Sequence, residues 1–375
     1  MTESRTRVLL LGAYGFFGRR IAAGLVRNPR VQLILAGRDV AKATALAYQL
    51  GLSADAARRV AADDPRLGLL LRKLGVNVLI HTAGPFQGQD YHVARAAIDA
   101  GCHYLDLADG RQFVTGISQL DAAARAAKLA VVTGVSTLPA LSCAVVDRYR
   151  ESFSRLDSVR IGISSGALVP GIATMRAVFG YVGQPIQMLR EGQWVDVPGW
   201  LDRQTHDFPR PVGRRLLGAC DVPDLILLPR RHAGLKTMTF HAGFASDSGH
   251  KAVELLARQV DSGRISSALP FARLCYRLAS LLQSLLSDSG GMYVKLDGLD
   301  VDGEAQHLTW MVLAGDNHGP HIPCGPAIAL TGKIAAGHPP PAGAQPCMGM
   351  LTVDEILGAL KGLRIREVLP LQNAR

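Results

Sequence analysis

The chain has 375 residues, 48% of them hydrophobic, and a formal net charge of +10. That length and apolarity supply two ordinary domains with sizeable cores and exclude a largely disordered protein. The basic residues lie in scattered pairs, among them Arg19-Arg20, Arg58-Arg59, Arg214-Arg215 and Arg230-Arg231, without the aromatic-interleaved stripe of a nucleic-acid binder; a polyanionic ligand or an acidic small molecule uses such charge equally well.

Val8-Leu9-Leu10-Leu11 is a short, continuously apolar run of the kind buried on both faces of a parallel sheet. It runs straight into Gly12-Ala13-Tyr14-Gly15-Phe16-Phe17-Gly18, a glycine turn where a dinucleotide pyrophosphate would sit. In that reading Gly12 permits the turn, Gly15 lets backbone N–H groups approach the phosphates, and Gly18 lets the helix expected over 16–27 pack against the sheet. The second strand, 31–36, ends in Gly37-Arg38-Asp39. An NAD site usually presents an acid at this strand tip for the ribose 2′-hydroxyl, whereas Arg38 comes first here and points to a 2′-phosphate, hence NADP rather than NAD.

A helix over 39–50, a strand over 58–62 and a helix over 65–74 follow. The fourth strand, 76–80, runs into His81-Thr82-Ala83-Gly84-Pro85-Phe86. Loops after the carboxyl ends of neighbouring parallel strands line one crevice, so Thr82, Ala83, Gly84 and Pro85 are expected beside the glycine turn, bordering the nicotinamide half of the cofactor. A helix over 91–100 closes at Gly101. Cys102-His103-Tyr104-Leu105-Asp106-Leu107 is a fifth strand with Tyr104 and Asp106 on one face. A helix over 113–127, a sixth strand over 129–133 and a helix from Leu138 to about residue 150 complete the first half.

The glycine turn with Arg19, the Ala36-Gly37-Arg38 strand end, the Thr82–Phe86 loop and the 102–106 strand, in that order and spacing, resemble the saccharopine dehydrogenase-like (saccharopine reductase) family. The likeness covers about the first 140 residues. It implies an NAD(P)-binding Rossmann domain, a second α/β domain inserted before the C-terminus, and commonly a homodimer. Members act on C–N bonds of amino acids and polyamines, and many have no assigned substrate, so the resemblance speaks for the cofactor more than for any substrate. Extended short-chain dehydrogenases share the glycine spacing but need Tyr-x-x-x-Lys; none of the eight tyrosines has Lys four positions on, and Tyr91 meets Arg95 there.

In the second half, strands are expected over 157–163, 187–190, 193–197, 214–217, 225–228 and 235–244, with a helix over 171–181 behind Pro170. Strands over 293–301 and 304–313 join at Asp302-Gly303, a hairpin signal. Asp297, Asp300, Asp302 and Glu304 do not match a calcium loop and read as solvent-facing turn residues. Over 265–286, Leu274, Leu278, Leu281, Leu282 and Leu285 share one helical face, expected in core or subunit packing rather than on a membrane surface. His318, His321 and Cys324 have ligand-like spacing but no fourth ligand, so no metal is expected. Thr352 caps a final helix.

The chemistry expected is hydride transfer between NADP(H) and a small substrate at a C–N or C=O centre, the chain delivering or removing one proton. Tyr104, Asp106 and His103 are the acid–base candidates, against a purely positioning role for the first two. Arg176, Arg214 and Arg215 are candidate forks for a substrate carboxylate. A non-catalytic NADPH-binding sensor or assembly subunit is the alternative. The fold class is α/β: a Rossmann doubly wound parallel sheet in 1–150, a second α/β domain with a mixed sheet in 151–335, and a segment, 336–375, whose helix returns to the first domain. Six cysteines without a CxxC pair, no signal-like N-terminus and no apolar stretch of membrane length lead us to expect a soluble cytoplasmic protein with no membrane or nucleic-acid partner.

Overall fold

The structure, a computed structural model, describes residues 5–168 and 171–369. The chain forms two compact units, the first built from residues up to 144 with 321–360 and the second from 145–320 with the residues after 360. Pro170, expected to open a helix, lies outside the described residues, as does the Leu285 side chain.

The first unit contains β1 (Thr6–Leu11), β2 (Val31–Gly37), β3 (Ala57–Arg59), β4 (Val78–His81), β5 (His103–Asp106) and β6 (Ala130–Thr133). The second holds β7 (Arg155–Ser164), β8 (Pro185–Arg190), β9 (Gln193–Pro198), β10 (Gln204–Asp207), β11 (Arg214–Ala219), β12 (Thr237–Gly243), β13 (Gly290–Leu299) and β14 (Ala305–Ala314). After these, β15 (Gly343–Pro346) returns to the first unit and β16 (Ile365–Val368) to the second.

The first sheet has seven strands in the order β15-β6-β5-β4-β1-β2-β3, and every pairing is parallel. Val8, Leu9 and Leu10 are fully buried, as a strand covered on both faces requires. From β1 the chain winds outward through β2 and β3, then crosses back to β4 on the other side of β1. The switch between β1 and β4 opens a crevice at their carboxyl ends. Asp39 caps the helix Val40–Gln49 by accepting the Lys42 N–H at 3.2 Å, and Gly101, at φ +75°, ends the helix His92–Ala100. Thr352 opens the helix Val353–Gly358 in a reciprocal capping box with Glu355. The segment after residue 336, from which only a final helix was expected, also supplies β15, whose backbone pairs with β6.

The second sheet runs β10-β11-β12-β7-β13-β14-β16, with the β8–β9 hairpin joined to β12. Among the described residues only β12 and β7 pair in parallel in this sheet, which is therefore mixed as expected. Asp300 accepts the N–H groups of Asp302 and Glu304, both at 2.9 Å, which builds the β13–β14 turn around Gly303. Two expectations are corrected. Residues 225–228 lie in the helix Asp224–Arg231, because a four-residue apolar run fits a buried helix face as well as a strand and Leu225 and Leu228 fall one turn apart inside. Of the two roles expected for the leucine face of 265–286, core or subunit packing, core is the one corrected: in the helix Ala272–Leu282, Leu274, Leu278, Leu281 and Leu282 are 56%, 51%, 77% and 52% exposed.

Candidate coenzyme site

The glycine turn leaves β1 with Gly12 at φ +85°, a conformation that L side chains rarely adopt. A Cβ on Gly12 would lie 2.7 Å from Thr82 Oγ1, and one on Gly18 would lie 2.2 Å from the Gly12 carbonyl oxygen. Both glycines are therefore fixed by close packing of the turn. A Cβ on Gly15 would meet only the Gly12 oxygen, at 3.0 Å, so that side of the turn stays open for a phosphate. Thr82 joins the two loops of the crevice by donating its hydroxyl to the carbonyls of Leu11 (2.9 Å) and Gly12 (3.2 Å). Gln89 braces the second loop through the Ala83 and Pro85 carbonyls, at 3.1 and 2.6 Å. Behind Phe16 and Phe17, the mostly buried Arg20 donates to the Phe16 carbonyl and lies 4.3 Å from the Phe16 ring centroid.

At the tip of β2, the Tyr14 hydroxyl accepts the Asp39 N–H at 2.9 Å, and the Tyr14 ring covers Gly37 so closely that a Cβ there would come within 2.4 Å of it. Asp39, the one acid at the tip, is occupied: it caps the following helix and pairs with Lys42 at 3.5 Å, and these N–H bonds draw its pKa below the ordinary range. Arg38 is exposed and has no hydrogen-bond or ion-pair partner among the described residues. A second cation, one that the sequence reading did not assign, lies on the neighbouring strand one residue away in register. Arg59 sits opposite Gly37 in the β2–β3 register, is exposed, and likewise has no such partner among the described residues. The signal was the Arg58-Arg59 pair at a predicted third strand; its neighbour Arg58 is turned to the carbonyls of Asp55 and Ala57.

The acid–base candidates occupy different surroundings. Tyr104 and Asp106 are fully buried. The Tyr104 hydroxyl is hydrogen-bonded to His81 Nδ1 at 3.1 Å. Burial, and then the Asp106 charge, hold the tyrosine well above its ordinary pKa. Asp106 Oδ1 accepts three bonds, from Ala108 N, Gly134 N and Thr133 Oγ1 at 2.8–2.9 Å, while Oδ2 is buried without one. Burial outweighs these donors and raises the carboxyl to about 6. His81, enclosed by Tyr104 and Phe86, is pushed down to about 3 by burial and so is neutral. His103 stands at the opposite, amino end of β5, where its Nδ1 accepts the Ala130 N–H at 3.0 Å. Three residues of strand, roughly 10 Å, separate it from the crevice end of β5.

In the second unit, Arg214 and Arg215 begin β11, with Arg215 opposite His206. Arg214 is exposed. Arg215 is half-buried; its Nη1 donates to the Arg214 carbonyl at 3.2 Å, while Nε and Nη2 are buried without a partner, and desolvation lowers its pKa. Arg176 is apart from them on the helix Ile172–Phe179, lining an open groove of about 480 Å³ with Arg273. Of the ligand-like trio, His318 accepts the Arg364 N–H and Cys324 lies at the Phe17 carbonyl; among the described residues no cluster has the makings of a metal site.

A doubly wound sheet with a glycine cradle at its switch point and a cation at the β2 tip is the arrangement of a dinucleotide-binding domain. Residues 8–135 match the family model described as saccharopine dehydrogenase NADP binding domain. The fold is that of apo saccharopine dehydrogenase (L-Glu forming) from Saccharomyces cerevisiae, at 15% identity and a TM-score of 0.65 over 97% of this chain and 100% of that one. Amine dehydrogenase from Mycobacterium smegmatis (13% identity, TM-score 0.48, 94% and 96% covered) and GenD2 from gentamicin A biosynthesis in complex with NAD (14%, 0.45, 98% and 97%) superpose more loosely. No curated protein matches in sequence. Residues 8–135 thus form an NADP-binding domain of the saccharopine dehydrogenase type, and the likeness over the rest of the chain is one of fold.

Proposed function

We propose that this protein is an oxidoreductase that moves hydride between NADP(H) and a small acidic substrate at a C–N or C=O centre. The observation that carries the coenzyme half is Arg38, free at the β2 tip while Asp39 is spent on a helix cap. Arg38 and Arg59 would hold the 2′-phosphate, and the Gly12–Gly18 turn the pyrophosphate. The bound nicotinamide supplies the hydride chemistry. Thr82 and Gln89 fix the loop bordering it. Tyr104 and Asp106 act by positioning: enclosed among His81, Thr133 and the Gly134 turn, they lock the carboxyl ends of β4, β5 and β6. The acidic-substrate half is supported by Arg215, whose buried, unpaired Nε and Nη2 match a carboxylate fork. Five of the six cysteines are buried, in keeping with a reducing cytoplasm, and the family likeness supports a homodimer.

The test is fluorescence titration with NADPH and NADH, followed by a screen of amino acids, imines and 2-keto acids for a change in reduced-nicotinamide absorbance. We expect NADPH to bind more tightly than NADH and turnover to be confined to substrates bearing a carboxylate, with Arg215→Ala raising KM for them. Preference for NADH, or equal turnover of esters and acids, refutes the corresponding half.

A further inference from the structure

The helix Ala272–Leu282 buries only Ala272 within its span, and its apolar side faces water: Leu274, Leu278, Leu281 and Leu282 are each at least half exposed. Leu269 and Phe271, in the turn just before it, add 38% and 40% exposure. Four exposed leucines on three helical turns, extended by a phenylalanine, form a contiguous patch of the kind that marks an interaction surface. The same stretch has a one-sided charge. From 262 through 287 there is no Asp or Glu, while Arg264, Arg273 and Arg277 are present. At the start of the helix, Arg273 and Arg176 line the open groove of about 480 Å³ together with Ser267, Leu269, Pro270 and Ala272, and neither arginine has an ion-pair partner among the described residues.

We propose that this face docks the protein on an anionic phospholipid bilayer. The leucines enter the acyl boundary with the helix lying flat, and Arg176 and Arg273 hold a lipid phosphate in the groove. Leucine and phenylalanine beside arginine on one short surface helix is the composition of an interfacial helix, and anionic lipid provides the negative charge that the segment lacks. A second copy meets the complementarity less well: a two-fold contact would set Arg273 and Arg277 against an equally acid-free face. No helix among the described residues is long and apolar enough to cross a membrane, so the contact is at the surface.

Co-sedimentation of the full chain with phosphatidylglycerol–phosphatidylcholine vesicles and with pure phosphatidylcholine vesicles tests this. The wild type should pellet with the anionic vesicles only. The neutral triple variant Leu278→Ser/Leu281→Ser/Leu282→Ser and, separately, Arg176→Gln/Arg273→Gln should each lower the partition coefficient by about tenfold or more. The charge-matched control Arg27→Gln/Arg72→Gln, at exposed positions of the first unit, should bind as wild type. The serine positions are exposed, so thermal unfolding should not move. Wild type remaining in the supernatant overturns the proposal. So does serine-variant binding equal to wild type, which would leave net charge alone as the cause. A dimer in sedimentation velocity that the serine variant dissociates, without vesicle binding, gives the face to a second copy instead.

Discussion

Arg38 and Asp39 are adjacent in the chain and differ in what their surroundings leave free. The aspartate satisfies a helix N-terminus, and the arginine has nothing to satisfy among the described residues. Charge-assisted bonds to a phosphate contribute about 1.5–3 kcal/mol, so Arg38→Ala and Arg59→Ala should each weaken NADPH by roughly tenfold to a hundredfold and leave NADH nearly unchanged. Isothermal titration of both coenzymes checks this, and equal losses for the two would remove the arginines from the 2′-phosphate. Asp106 supplies a second residue-scale test. Folded, it keeps its proton up to about pH 6, whereas in the unfolded chain it ionises in the ordinary carboxylate range; the native state binds more protons between the two, so this group's contribution falls as pH rises through that window. His81, neutral when folded down to about pH 3, acts in the opposite sense, its contribution rising from there to its ordinary pKa. Asp106→Asn keeps an Oδ1 acceptor for the three donors and removes the decline, so its stability should climb more steeply than wild type between about pH 4 and 6. Asp106→Ala strands those donors and should cost on the order of 3 kcal/mol or more at neutral pH. Urea denaturation across pH distinguishes the two.

At the scale of elements, the turn between β1 and its helix separates packing from ligand contact. A Cβ on Gly18 strikes the Gly12 carbonyl at 2.2 Å, so Gly18→Ala must displace backbone and should destabilise the fold by about 1–3 kcal/mol. Gly15 has space on its phosphate side, so Gly15→Ala should melt closer to wild type while losing most of its NADPH affinity. Melting curves and coenzyme titration of the pair would show whether the two properties part in this way. The contrast between Leu225–Leu228 and the hairpin at Asp302-Gly303 shows which elements a sequence reveals. The hairpin is set locally by a side chain, Asp300, bonding the backbone of its own turn. The four-residue apolar run had no local signal to separate helix from strand.

Over the whole molecule, the chain leaves the first unit at residue 144, returns at 321, and leaves again at 360. The last excursion contributes β16, which covers the β14 edge and brings Glu367 to Arg148 at 2.8 Å and to the indole N–H of the buried Trp310. Ending the chain after Gly362 exposes that edge and leaves the Trp310 donor unpaired, so the truncated protein should unfold at lower denaturant and aggregate more readily. Saturating NADPH should raise the full chain's stability by about 2.7 kcal/mol at a hundredfold excess over its dissociation constant, read as a Tm shift in calorimetry; no shift would mean that the folded state does not bind it preferentially.

The sequence by itself determined six of the first sheet's strands, the glycine turn, the loop at Thr82 and the cation at position 38. Each of these is a local pattern: a doubly buried strand is continuously apolar, and a turn that must pass close to its neighbours leaves glycine at fixed spacing. What tertiary structure alone decided depends on residues far apart in the chain. Strand register set Arg59 beside Gly37, burial enclosed Tyr104 and Asp106 together with His81, and the packing of the second unit left the leucine face of 272–282 in water. Periodicity marks that a helix has an apolar side, but only the neighbours that do or do not arrive decide whether that side becomes core or surface.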